Sequence, residues 1–150
     1  MPFNVLLESY RAQRNNLSAL RNGIFVEETV KELLAGGFIV ERHEPPFCIN
    51  PLTVAENENK SRLVLDLRHV NGYLNVPKFK YEVLPNFTDM MEKRDFAVKF
   101  DLTSGYHHIS IHKQHCKYLG FKWKFAEGAE KYYVFLVLPF GLFSLKLCVF

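Results

Sequence analysis

Two adjacent prolines, Pro45 and Pro46, forbid helix just where the chain leaves its first amphipathic segment. Before them, Val26, Val30, Leu33 and Leu34 recur at helical spacing, and Gly36-Gly37 supplies a stop, which predicts a short helix over Glu27 to Ala35. After them the apolar residues fall in short runs. Phe38-Ile39-Val40 begins an extended segment, and Phe47 to Val54 reads as a strand with Pro51 at an edge or a bulge. A polar turn over Glu56 to Ser61 leads into a return strand, Arg62 to Leu67, and Asn71-Gly72 is a turn dipeptide. Pro77 to Pro85 is irregular. Asn86 can cap a short helix, Phe87 to Lys93. Further strands are expected at Phe96 to Leu102, around Ile109 and Ile111, at Tyr118 to Phe125 and at Tyr132 to Leu138, before Pro139-Phe140-Gly141 breaks the chain and a last helix begins. Residues 1–24, with Arg11, Arg14 and Arg21, read as a basic lead-in arm or helix. Helix, strands, helix, strands, helix is an α+β order.

Hydrophobic residues make up 48% of the chain, enough for a packed core and too many for wholesale disorder. The net charge of +3 permits a polyanionic partner without demanding one. Cys48, Cys116 and Cys148 are widely spaced and form no C-x-x-C pair, so they suggest neither a disulfide framework nor a zinc knuckle. The start, MPFNVLLESYR, lacks both a basic region and a long apolar run, so an intracellular rather than a secreted protein is expected. The most apolar stretch, Tyr132 to Phe150, is interrupted by Pro139, Gly141 and Lys146, and no membrane span is expected.

Three motifs carry chemistry. In Phe100-Asp101-Leu102-Thr103-Ser104-Gly105-Tyr106 one acid ends an apolar strand and a small-residue turn with an aromatic follows. A carboxylate so placed can hold a divalent cation, with a nearby carbonyl as a second hard ligand. It can equally cap the turn. In Lys60-Ser61-Arg62, two cations flank the start of a strand on a hairpin that could lean over a ligand. Arg grips phosphate oxygens as a fork and Lys as a point charge, although such charges also keep a strand edge soluble. In Leu138-Pro139-Phe140-Gly141-Leu142 proline ends a strand and glycine lets backbone pass close to a neighbour or a ligand.

In this order the three motifs resemble the reverse transcriptase family, over about residues 25–142. Arg62 to Asn71 resembles its fingers motif, Phe100 to Tyr106 its first palm motif, and Leu138 to Leu142 the motif beneath the templating base pair. Asn50-Pro51-Leu52-Thr53-Val54, Leu65 to Asn71 and Ser104 to Ile109 look most like the DIRS-type group of retrotransposons. The resemblance implies the fingers (about 38–75 and 112–144) and part of the palm (about 76–111 and 145–150) of a right-hand polymerase. It implies Asp101 as the first metal-binding aspartate with the Leu102 carbonyl beside it, and Lys60 and Arg62 on the incoming triphosphate. Tyr106 would be the aromatic gate against a ribose 2′-hydroxyl. Phe140 and Gly141 would lie beside the nucleotide sugar and template base, with Asp66 and Asn71 as supporting polar groups. Implied partners are an RNA or DNA template with its primer and deoxynucleoside triphosphates. The implied cofactor is Mg²⁺ or Mn²⁺, expected only together with further aspartates.

The sequence departs from that family in two places. It contains no Tyr-x-Asp-Asp-like hairpin, so the chain is expected to be a fragment cut before that motif and the thumb, and inactive alone. After Leu142, Phe143-Ser144-Leu145-Lys146 replaces a Ser-Ala-Pro-like helix start. Two rival readings are a non-catalytic nucleic-acid-binding remnant and a zinc module built from His107, His108, His112, His115 and Cys116. On a strand, however, His107 and His108 would point to opposite faces.

Overall fold

The computed structural model describes residues 8–12, 14–57, 60–75, 91–96, 98 and 105–142. Its main body is a five-stranded mixed sheet in the order β1-β3-β6-β7-β2, formed by β1 (Tyr10–Arg11), β2 (Ile39–Arg42), β3 (Cys48–Ile49), β6 (Gly120–Lys124) and β7 (Glu130–Phe135). A separate hairpin, β4 (Leu52–Asn57) and β5 (Lys60–Leu65), pairs in register from Leu52↔Leu65 to Asn57↔Lys60. Among the described residues there are also helices α1 (Leu17–Arg21), α2 (Gly23–Ala35) and α3 (Arg68–Tyr73) and two 3-10 turns, Gly105–His108 and Cys116–Tyr118. This is the expected α+β class.

The sheet is held by two antiparallel ladders. β6 and β7 pair from Gly120↔Val134 to Lys124↔Glu130, and β7 and β2 from Ile39↔Phe135 to Arg42↔Tyr132. Their inward rings pack together: Phe121 and Tyr133 stack at 5.2 Å and Phe121 and Phe135 meet at a tilt at 5.6 Å. α2 buries Val26, Val30 and Leu33 in the same core, as the helical spacing requires. Helix α2 begins at Gly23, earlier than the expected Glu27.

Other expectations need correction. The stretch Phe47 to Val54 is two strands, not one. The chain breaks at Asn50-Pro51, and β3 and β4 go to different sheets. Asn50 is why: it is fully buried, and its Nδ2 donates to the Tyr118 and Gly120 carbonyls at 2.9 and 3.0 Å. It thus staples the break to β6. Of the expected lead-in arm or helix, the described residues include the helix, as α1, and the segment before it is bonded into the fold. Tyr10–Arg11 is a sheet strand, and the polar residues after it dress the outer edge of the hairpin. Asn15 Oδ1 accepts from Leu52 N–H at 2.9 Å, Ser18 Oγ accepts from Val54 N–H at 3.1 Å, and Asn16 N–H donates to the Leu52 carbonyl at 3.0 Å. Asn71-Gly72 lies inside α3 rather than in a turn, because burial of Val70 and the Asn71 N–H to Leu67 carbonyl bond at 2.7 Å favour helix there.

The alternation around Ile109 gives only a bridge, Ser110↔Val137, preceded by a 3-10 turn over Gly105–His108. The turn leaves too little extended chain for a strand. Of the strand expected over Phe96 to Leu102, only Phe96 and Val98 are described. Neither is in a strand, and both are exposed. Met91 to Lys93 are not helical, while Pro77 to Asn86 and the expected last helix lie outside the described residues. No helix among the described residues is long and apolar enough to cross a membrane.

Replacing Asn50 with alanine removes its two side-chain hydrogen bonds, to the Tyr118 and Gly120 carbonyls, and leaves only the backbone N–H of position 50 on Gly120, so Asn50→Ala is expected to lower stability by about 2 kcal/mol in urea unfolding. A loss under about 0.5 kcal/mol, the level of an ordinary surface change, would show that the staple is incidental.

Candidate functional site

A strand that ends against a loop needs its last amide paired, and β5 finds that partner far along the chain. Leu65 N–H donates to the Phe140 carbonyl at 3.0 Å. For the loop to come so close, the next residue must have no side chain. Gly141 has φ +110°, and a Cβ there would overlap the Leu65 carbonyl oxygen and press on Val64. Asn71 Nδ2 then donates to the Gly141 carbonyl at 2.9 Å. The fingers motif and the Leu-Pro-Phe-Gly-Leu motif are thus one packed unit. The 3-10 turn joins it through Leu138 N–H to the Ile109 carbonyl at 2.9 Å and Ile111 N–H to the Leu136 carbonyl at 2.8 Å.

The result is a hollow of about 650 Å³. Lys60, Ser61, Arg62 and Leu63 of β5 form one wall, Gly105, Tyr106 and His107 another, and Phe135 and Phe140 a third. Phe25, Thr29, Glu32 and Leu33 of α2 close the remaining side. The Arg62 guanidinium lies over the Phe140 ring, 5.9 Å from its centroid, and the Tyr106 ring meets Phe140 edge-on at 4.8 Å. Four of the residues singled out in the sequence, Lys60, Arg62, Tyr106 and Phe140, therefore share one hollow, and Gly141 fixes the loop beside it. Asp101 and Leu102 lie outside the described residues.

His107 was singled out only as part of a histidine cluster. Its ring packs on Phe38 at 4.7 Å and faces Phe140 at 6.2 Å, and burial first, then the neighbouring His108, pushes its pKa down. The walls from α2 were missed altogether, because their residues carry no motif and only the tertiary fold brings them here. Asp66 is a structural group. The Arg68 guanidinium, at 2.6 Å, holds its carboxyl below the usual range, against the opposing effect of burial, and Asn16 adds a bond at 3.1 Å.

The histidine–cysteine stretch is not arranged as a metal cage. Cys116 is buried, with Sγ placed to donate to the Ile111 and His112 carbonyls, and burial raises its pKa. Among the described residues no three His, Cys, Asp or Glu side chains are grouped to hold a metal ion.

Such a hollow, with two exposed cations at one rim and an aromatic pair beneath, suits a ligand that joins phosphate to a flat or ring-bearing part. The fold is reverse transcriptase-like. Compared with solved structures, the chain matches the foamy viral protease–reverse transcriptase, solved in complex with double-stranded DNA, with a TM-score of 0.68 and 21% identity, over 93% of this chain and 23% of that one. Among curated proteins it is similar to a polyprotein, named as enzymatic, of Cassava vein mosaic virus, 29% identical over 77% of this chain. It is also similar to the retrovirus-related Pol polyprotein from transposon 297 of Drosophila melanogaster, 28% identical over 79% of this chain. The chain spans only 18% and 11% of those two relatives. No protein-family profile matches it.

Two glycines give a test with opposite signs. Gly141→Ala, strained in backbone and clashing with Leu65, is expected to lose at least about 2 kcal/mol. Gly72→Ala, in α3 with open space around it, is expected to gain up to about 1 kcal/mol. Thermal or urea unfolding of both variants reads the difference. Equal, small effects would mean that the loop is not clamped as described.

Proposed function

We propose that this chain is the fingers and partial palm of a retroelement RNA-directed DNA polymerase, most like the DIRS-type group, and that the hollow receives the incoming deoxynucleoside triphosphate. One observation carries the reading: Lys60, Arg62, Tyr106 and Phe140, drawn from three separated motifs, line the same hollow. In this reading Arg62 forks onto phosphate oxygens, with Lys60 as a second, more mobile charge. Tyr106 stands where it would meet a ribose 2′-hydroxyl. Phe140 supports both of them, and Gly141 lets the loop lie flat beneath the base pair. The similarity to polyproteins and to a reverse transcriptase fold supports the retroelement polymerase part of this reading.

The proposed reaction of the whole polymerase is attack by a primer 3′-oxygen on the α-phosphate of the deoxynucleoside triphosphate, forming a phosphodiester bond as the bond from the α-phosphorus to the oxygen bridging to the β-phosphate breaks and pyrophosphate leaves, with positioning plus charge stabilisation supplying most of the rate. Asp101 and the Leu102 carbonyl are the proposed oxygen donors for Mg²⁺ or Mn²⁺, the ion that would offset charge on the attacking and leaving oxygens. The template and primer are proposed to be RNA or DNA.

Two measurements test this. Calorimetric titration of the 150-residue polypeptide with dTTP at low salt is expected to show binding that Arg62→Ala weakens about tenfold, the loss of one charge-assisted fork. Binding indifferent to Arg62 would remove the triphosphate from this hollow. Primer extension on poly(rA)–oligo(dT) by the same 150 residues is expected to give no product, since Asp101 alone brings too little carboxylate charge to place two divalent ions. Any templated extension would overturn that assignment of the metal ligands.

A further inference from the structure

The stripe of α2 that lines the hollow, Phe25, Thr29, Glu32 and Leu33, is apolar or neutral except at Glu32. Glu32 is exposed, as are Lys60 and Arg62 on the opposing hairpin, and none of the three is in an ion pair among the described residues. An acid that lines the same cavity as two cations without pairing with them does not stabilise the fold by a salt bridge. It does lower the positive potential in the space between them. A hollow of about 650 Å³ is on the order of 10 Å across, close to the Debye length at physiological salt, so the charge on Glu32 reaches a ligand held by the hairpin without being fully screened.

We propose that Glu32 is the counter-charge of this hollow: it limits the affinity of Lys60 and Arg62 for polyanions and keeps the phosphate grip weak enough to release. This rests on the triphosphate reading above and adds to it a residue outside the three motifs. A wall carrying only cations would hold free polyphosphate by charge alone. With one carboxylate opposite, a ligand must also use the aromatic floor of Tyr106 and Phe140 to bind well. The helix supplies its own comparison, because Glu28, one turn before Glu32, is exposed and does not line the hollow.

The test is calorimetric titration of the 150-residue chain with inorganic tripolyphosphate in metal-free buffer, at low and at high salt, for the unaltered protein, Glu32→Gln, Glu28→Gln and Arg62→Ala. Glu32→Gln is expected to bind about threefold to tenfold more tightly at low salt, with the gain shrinking as salt rises, and Glu28→Gln to stay within about twofold of the unaltered protein. Equal effects of the two glutamines, or weaker binding by Glu32→Gln, would overturn the proposal. If Arg62→Ala weakens binding while Glu32→Gln leaves it unchanged, the triphosphate reading survives and the role of Glu32 alone fails. If neither the unaltered protein nor Glu32→Gln binds at low salt, both fail.

Discussion

Backbone pressed on backbone at Gly141 is the constraint from which the rest of the site follows. The Leu65 carbonyl occupies the space where any side chain at position 141 would stand, and the left-handed φ of Gly141 turns the chain so that its neighbours can bond. Phe140 presents its carbonyl to Leu65, and Gly141 presents its own to Asn71. The last strand of the hairpin, α3 and the Pro139–Leu142 loop are therefore tied together by backbone contacts. Arg62 can be held over Phe140 only because its strand is tied to the residue that carries that ring.

The hairpin is long for two strands standing outside the main sheet, and an isolated two-stranded ribbon is marginal in water. Asn15, Asn16 and Ser18 supply what a third strand would, bonding to the backbone at Leu52 and Val54. Asn16 also bridges from this edge to Asp66, and its amide bonds Thr53 Oγ1. The polar lead-in is thus a covering for an open edge, and the protection is made with side chains rather than with a ladder.

Local signals in the sequence determine structure where the physics is local. The α2 stripe, the strands β6 and β7 and the breaker at Pro139 all follow from periodicity and from proline and glycine chemistry. So did the grouping of Lys60, Arg62, Tyr106 and Phe140, although only through resemblance to a family, since nothing in their spacing joins residue 62 to residue 140. Signals failed where a long-range bond overrides local preference. Asn71-Gly72 is a turn pair by composition and a helix in the fold, because Val70 is buried beneath it. Pro51 marked an edge or a bulge by rule, yet the buried amide of Asn50 makes it the boundary between two sheets. Glu32 and Thr29 could not have been found from sequence at all. They belong to a helix whose pattern reports only its buried side.

The contact between Arg62 and Phe140 also bears on how the hollow keeps its charge. A carboxylate under Arg62 would fix the guanidinium more firmly, but it would neutralise it and occupy its fork of donors. The ring of Phe140 gives a weaker hold, about 0.5–1 kcal/mol at an exposed position. That hold leaves the guanidinium charge without a neutralising acid among the described residues. Position and charge are thereby separated: the aromatic ring sets where the cation stands, and the acid on α2, farther off, adjusts how strongly the cation acts.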